Sequence, residues 1–183
     1  MYSPETALFL WINADAQTPQ AVVLLAQWVS HYLPALAAAA LALGASLAGP
    51  RARAAAAQAA VAMALAWLCS RALRDGLQMP RPAALGLGLQ WLAHSGGPGL
   101  PSQHATGAFA FAFALLHARL APWAVGLAFG CAVLIAWSRL CLGVHFPSDV
   151  LAGALVGALA ARVVHTLWTL AGHAWRRGVA VTP

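Results

Sequence analysis

The sequence contains no lysine, and only four acidic residues stand against its ten arginines. Charged residues make up 8% of the 183 positions, whereas a soluble domain carries about 25%. So few charges cannot cover a water-exposed surface, which excludes an ordinary soluble protein. Hydrophobic residues reach 62% and the mean hydropathy is +0.75, so a bilayer must be the solvent. The arginines are dispersed between apolar runs and form no clustered basic face, which excludes a nucleic-acid surface. Cysteine is scarce as well. Cys69, Cys131 and Cys141 are odd in number and lack metal-ligand spacing, so they read as small packing residues. The N-terminus lacks the basic segment of a signal peptide, so the first long apolar run is expected to be retained.

What is present is a series of apolar stretches near the roughly 20 residues that a spanning helix needs. Five are expected: about 21–47, 54–73, 102–120, 123–140 and 147–170. Ser3-Pro4-Glu5 before them is a helix start, and Ala7, Leu8, Leu10 and Trp11 suit a short helix lying in the membrane interface. The expected fold is therefore all-α, a bundle of about five transmembrane helices with a short interfacial N-terminal helix, forming one domain over 1–183. The one long connection, 76–100, is rich in glycine and proline and is expected to lie partly in the membrane surface. Gly153 and Gly157 form a small-residue motif that suits close helix packing within the chain.

Connectivity puts the end of the second span, the start of the third, the end of the fourth and the start of the fifth on one membrane face. The unusual polar residues fall at those four places. Arg74 to Pro82 (RDGLQMPRP) closes the second span, with Pro80 and Pro82 holding the chain extended around Arg81. Pro101 to His104 (PSQH) opens the third, where Ser102 is a natural cap and free N–H groups would face an anion. Ser138 to Asp149 (SRLCLGVHFPSD) joins the fourth and fifth. Pro147 suits the first turn of a helix, which puts Asp149 just inside it and His145 just before it. The carboxylate can then reach one ring nitrogen of His145 and leave the other as a nucleophile.

In order and spacing these clusters resemble the signature of the type 2 phosphatidic acid phosphatase superfamily: K-x6-R-P, P-S-G-H and S-R-x5-H-x3-D. The resemblance implies that His145 attacks phosphorus, that Asp149 orients it, and that His104 protonates the leaving oxygen and then activates water. It implies that Arg74, Arg81 and Arg139, with Ser102, Gln103 and Ser138, hold the phosphoryl oxygens, the arginines supplying the charge a metal would otherwise supply. No metal and no cofactor is expected, since Asp75 and Asp149 are the only carboxylates near the site. The substrate implied is a lipid phosphate or diphosphate. Small size and short loops resemble the bacterial undecaprenyl diphosphate phosphatases, with phosphatidylglycerophosphate or lipid A phosphatases, or a lipid phosphotransferase, as alternatives. Soluble vanadium haloperoxidases share the phosphate-site pattern, but the composition argues against them, and a transporter would place its polar residues nearer mid-membrane. Arg74 stands where lysine is usual and Gln103 where glycine is usual.

The remaining histidines, His31, His94, His117, His165 and His173, each read alone as ordinary interfacial residues. Sorted by the five-span connectivity, Arg51, Arg53, Arg119, Arg162, Arg176 and Arg177 lie on or toward the face opposite the clusters. Arginine-rich short loops stay in the cytoplasm, so an inner-membrane protein with its site facing the periplasm or cell exterior is expected.

Overall fold

A computed structural model of the chain describes residues 2–47, 49–93 and 96–179. Among these residues there are six α-helices and no strand: α1 (Pro4–Ile12), α2 (Gln20–Leu47), α3 (Pro50–Leu77), α4 (Gln103–His117), α5 (Pro122–Cys141) and α6 (Pro147–Val179), with one 3₁₀ turn at Pro82–Leu85. His94 lies outside the described residues. The Ser3 hydroxyl caps α1 by accepting from the Thr6 N–H, and prolines occupy the first turn of α1, α3 and α5, where a missing N–H costs nothing. Four helices, α2, α3, α5 and α6, are long and apolar enough to cross a membrane.

The third expected span is the exception. The helix there, α4, has only 15 residues, a rise of about 22 Å against a hydrocarbon core of about 30 Å. Its two ends differ in setting: Ser102, just before the start, is completely buried, whereas Arg119, just past the other end, is exposed. α4 tolerates this because it packs against α3, α5 and α6, most extensively against α6. Its N-terminal end lies inside protein, where the chain supplies partners that lipid cannot, such as the Asp149 carbonyl for the Ser102 N–H.

Small residues make the bundle tight. On α3, Ala55, Ala59, Ala62 and Ala66 recur every three or four residues and are all buried. On α6, Leu151, Leu155, Leu159, Leu167 and Leu170 are exposed, while Ala160, Ala161 and Val164 are buried. The larger side chains thus face outward and the small ones inward, the reverse of a water-soluble helix and the arrangement that suits lipid. The closest approach is at the α4–α6 crossing. A Cβ on Gly157 would lie 2.6 Å from the Thr106 carbonyl oxygen, and one on Gly153 would lie 2.8 Å from that of Ser102.

Gly157→Val should therefore force α4 off α6 and destabilise the bundle by about 1–3 kcal/mol, read as a lower thermal midpoint in detergent. Gly172→Val on the same helix is the control, because a Cβ there meets nothing within 4 Å. Equal midpoints for the two variants would show that the crossing is not tight.

Candidate active site

His145 lies on the short link between α5 and α6 and is 1% exposed. Its Nδ1 is 3.1 Å from the Asp149 Oδ2. That same oxygen accepts from the Phe146 N–H at 2.9 Å, so the third residue of α6 caps its own helix with the carboxylate that also holds the imidazole. Outside the turn, the Glu5 carboxylate of α1 accepts from the Ser148 N–H at 2.9 Å. The Asp149 main-chain oxygen accepts from the Ser102 N–H at 2.9 Å, which fastens the start of α4 to the start of α6.

The other ring nitrogen of His145, Nε2, is 3.3 Å from Nη1 of Arg81. A guanidinium only donates, so Nε2 presents its lone pair and the ring proton sits on Nδ1, facing Asp149. The environment thus selects a single tautomer. Arg81 is itself anchored: Nη1 donates to the Val144 carbonyl at 2.7 Å, Nε to Gly97 at 2.8 Å and Nη2 to Pro98 at 3.2 Å. Its guanidinium remains charged at neutral pH. Gly99 lets the connection fold over this group, since a Cβ there would lie 3.0 Å from the Asp149 Oδ2.

Arg74, half-buried in the last turn of α3, is close enough to Arg81 and Asp149 to act on them electrostatically. Its Nη2 lies 3.7 Å from where a Cβ on Gly97 would be. Arg139, at 2% exposure, donates from Nη1 to the Ser30 hydroxyl of α2. Its Nε is buried without a protein partner, as is the Ser102 hydroxyl. Buried polar groups of this kind call for a ligand or water. Arg139 and His104 line one cavity of about 230 Å³, together with Gln27, Ser30 and His31 of α2.

Two candidates are not brought to this group. The Ser138 hydroxyl is buried and donates to the Ile135 carbonyl of its own helix at 2.7 Å. Gln103, half-buried at the first position of α4, makes no side-chain hydrogen bond among the described residues. Ser102 occupies the cap position, but its hydroxyl makes no capping bond. Asp75 faces outward in an exposed pair with Arg71 at 3.9 Å. Among the described residues, no three His, Cys, Asp or Glu side chains come together as a metal site.

Sequence reasoning missed the contributions of α1 and α2. The Asn13 amide donates to the Leu89 carbonyl at 2.9 Å and the Cys141 carbonyl at 3.0 Å, and accepts from the Leu89 N–H at 2.8 Å. It sits between Gly88 and Gly143, both at positive φ, where a Cβ would collide with Asn13 or with Leu89. Trp91 adds its indole N–H to the Ala14 carbonyl at 2.8 Å. The long connection is thereby tied to the end of α5, a few residues before His145. The available signal was Asn13, a polar residue directly after the apolar run Phe9 to Ile12.

A family model described as the PAP2 superfamily matches residues 55–172. YbjG of Escherichia coli (strain K12), provisionally named an undecaprenyl-diphosphatase, is 41% identical over 95 residues, which is 51% of this chain and 46% of that protein. The lipid A 1-phosphatase of Rhizobium johnstonii is 44% identical over 67 residues, 36% of this chain and 26% of that protein. The chain thus spans less than half the length of either relative. Among solved structures, LpxE of Aquifex aeolicus superposes with a TM-score of 0.71 at 27% identity, covering 89% of this chain and 95% of that one.

Replacing Asn13 with alanine would strand the Leu89 N–H and carbonyl, while the Cys141 carbonyl keeps the Ala14 N–H. Buried groups left unpaired cost about 1–3 kcal/mol each, so Asn13→Ala should lower stability by about 2 kcal/mol or more and slow turnover. An unchanged melting midpoint would mean that water replaces the amide without loss.

Proposed function

The chain belongs to the PAP2 superfamily, and on that footing we propose that it hydrolyses a lipid phosphate or diphosphate through a phosphohistidine on His145, with undecaprenyl diphosphate as the substrate. The observation that carries this reading is the single tautomer of His145, held between Asp149 at Nδ1 and Arg81 at Nε2. A proton on Nδ1 leaves the Nε2 lone pair to attack phosphorus. As the N–P bond forms and the P–O bond to the lipid breaks, the imidazole becomes cationic, and the Asp149 carboxylate stabilises it. Arg81 leaves the lone pair for the phosphoryl oxygens, where Arg74 and Arg139 join it. Charge-assisted bonds from guanidiniums strengthen as negative charge gathers on those oxygens. His104 protonates the leaving oxygen, then takes a proton from the water that releases phosphate and restores Nε2. The chemistry needs no metal, because arginine charge stands where a divalent ion would.

The choice of lipid rests on the similarity to YbjG. The similarity to a lipid A 1-phosphatase favours a second reading, removal of a phosphate from a lipid A headgroup. Phosphate release by the purified protein from both lipids, with EDTA present, separates the two. His145→Ala should lose activity by at least about a thousandfold, the scale of losing a covalent nucleophile. Brief exposure of the wild type to radioactive lipid phosphate should give acid-labile, base-stable label that the variant lacks. Substantial turnover by the alanine variant would remove His145 from the nucleophile's place.

We further propose that the site opens to the periplasm or cell exterior, in a bacterial inner membrane. Arg51 donates to the Arg119 carbonyl at 3.2 Å, so these arginines share the end of the bundle opposite the site. Short arginine-bearing loops are retained in the cytoplasm. A fluorescent protein that matures only in the cytoplasm, fused after Pro183, should be bright, whereas alkaline phosphatase at the same place should be inactive. The opposite pair of results would invert the orientation.

A further inference from the structure

We propose that a polar stripe on α2, made by Gln27, Ser30 and His31, is the subsite for the phosphate that stays on the lipid when a diphosphate is cleaved, so that this stripe selects diphosphates over monophosphates. The inference rests on the phosphatase reading above. Residues at positions i, i+3 and i+4 share one helix face, and these three interrupt an otherwise apolar stretch of a 28-residue helix. Polar side chains in such a helix turn toward protein or a watery cavity. All three do so here, lining the cavity of about 230 Å³ that also contains His104 and Arg139.

The chemistry of the wall suits an anion. The Ser30 hydroxyl accepts from Arg139 Nη1 and sets the guanidinium's position, while Arg139 Nε stays buried and unpartnered. Gln27 Nε2 donates to the Trp91 carbonyl at 3.0 Å, which braces the connection forming the other side. His31 is exposed and stands edge-on to Tyr32, with ring centroids 4.8 Å apart. Leu92 and Ala93 complete the cavity with apolar surface, which suits the first carbons of a lipid chain. The volume of about 230 Å³ is large enough for one phosphate group and several waters at roughly 30 Å³ per water-sized group.

In-line attack explains why the stripe would discriminate. Nε2 of His145 forms the bond to the terminal phosphorus, and the bridging P–O bond breaks on the far side. Its electron pair leaves with the bridging oxygen, which takes a proton from His104. In a diphosphate that oxygen belongs to a second, charged phosphate, which needs donors beside His104. In a monophosphate it belongs to an uncharged alkyl group, which does not. His31 can donate to the second phosphate from a ring nitrogen.

The test compares a prenyl diphosphate with the monophosphate of the same prenyl chain, using the full-length protein in detergent. His31→Ala should lower kcat/KM for the diphosphate by about tenfold or more while changing that for the monophosphate less than about twofold. His31→Gln, which keeps a donor and loses the ring, should fall between wild type and alanine, and it carries the comparison if the alanine variant aggregates. Parallel loss on both lipids would make His31 a general structural residue and overturn the proposal. So would no loss on either, or a wild type that cleaves the monophosphate alone. A wild type that releases phosphate from neither lipid nor from lipid A would refute the phosphatase reading itself, and this inference with it.

Discussion

The rest of the site depends on the buried Asp149. A carboxylate at 3% exposure is expensive to bury unless its oxygens are satisfied. Here one oxygen takes both the His145 Nδ1 contact and the Phe146 N–H, and the main-chain oxygen takes the Ser102 N–H. Two segments that are distant in sequence must therefore arrive together: the turn that carries the α5–α6 link into α6, and the start of α4. The guanidiniums of Arg81 and Arg74 add favourable charge from the long connection and the end of α3. Moving any one of these segments would leave a charge or a donor unpaired inside protein, so the same bonds that orient the imidazole also fix the helix ends.

Fixed helix ends need a rigid bundle beneath them, and the glycine contacts of α6 provide it. The Ser102 carbonyl accepts from the Thr106 N–H and hydroxyl, both at 2.9 Å. Gly153 is the residue that lets α6 lie directly against that carbonyl. Packing density and site geometry are thus one problem on the first two turns of α4. A bilayer supplies little force to push helices together, so close van der Waals approach of small residues has to do so. This accounts for alanine and glycine along the inner faces and leucine along the outer ones. It also accounts for a short α4, which is central enough to end inside the bundle.

The three motifs and their places at helix ends were legible in the sequence because each combines a breaker or cap with a charged residue. Pro147 fixes where α6 begins, and from that start the reach of Asp149 back to His145 follows by geometry. The existence of the long apolar helices followed from hydropathy alone. The shortness of α4 did not, although Arg119 at positive φ and Pro122 stand just beyond its last residue, His117. The Ser138 hydroxyl could not be assigned either, because a serine in a helix has its own backbone as a competing acceptor. The α2 stripe of Gln27, Ser30 and His31 was not legible in the sequence, where His31 stands alone as an interfacial residue, because α2 is not joined in sequence to any of the motifs. The contact between Ser30 and Arg139, and the cavity that α2 shares with His104, link them.

The absence of lysine bears on this chemistry. A lysine buried beside other cations loses its proton readily, because desolvation and like charge both favour the neutral amine. Arg74 is half-buried within electrostatic reach of Arg81, and Arg81 within reach of Arg139. Three lysines so placed would leave the site under-charged before substrate arrived. Guanidiniums stay protonated and spread their charge over a plane. Carbonyl oxygens hold that plane in place before binding: those of Gly97, Pro98 and Val144 do so for Arg81. A site built this way keeps its positive charge through low-dielectric burial and must wait for an anion to complete it. Arg139 Nε and the Ser102 hydroxyl, both buried without protein partners, are groups that such an anion would satisfy.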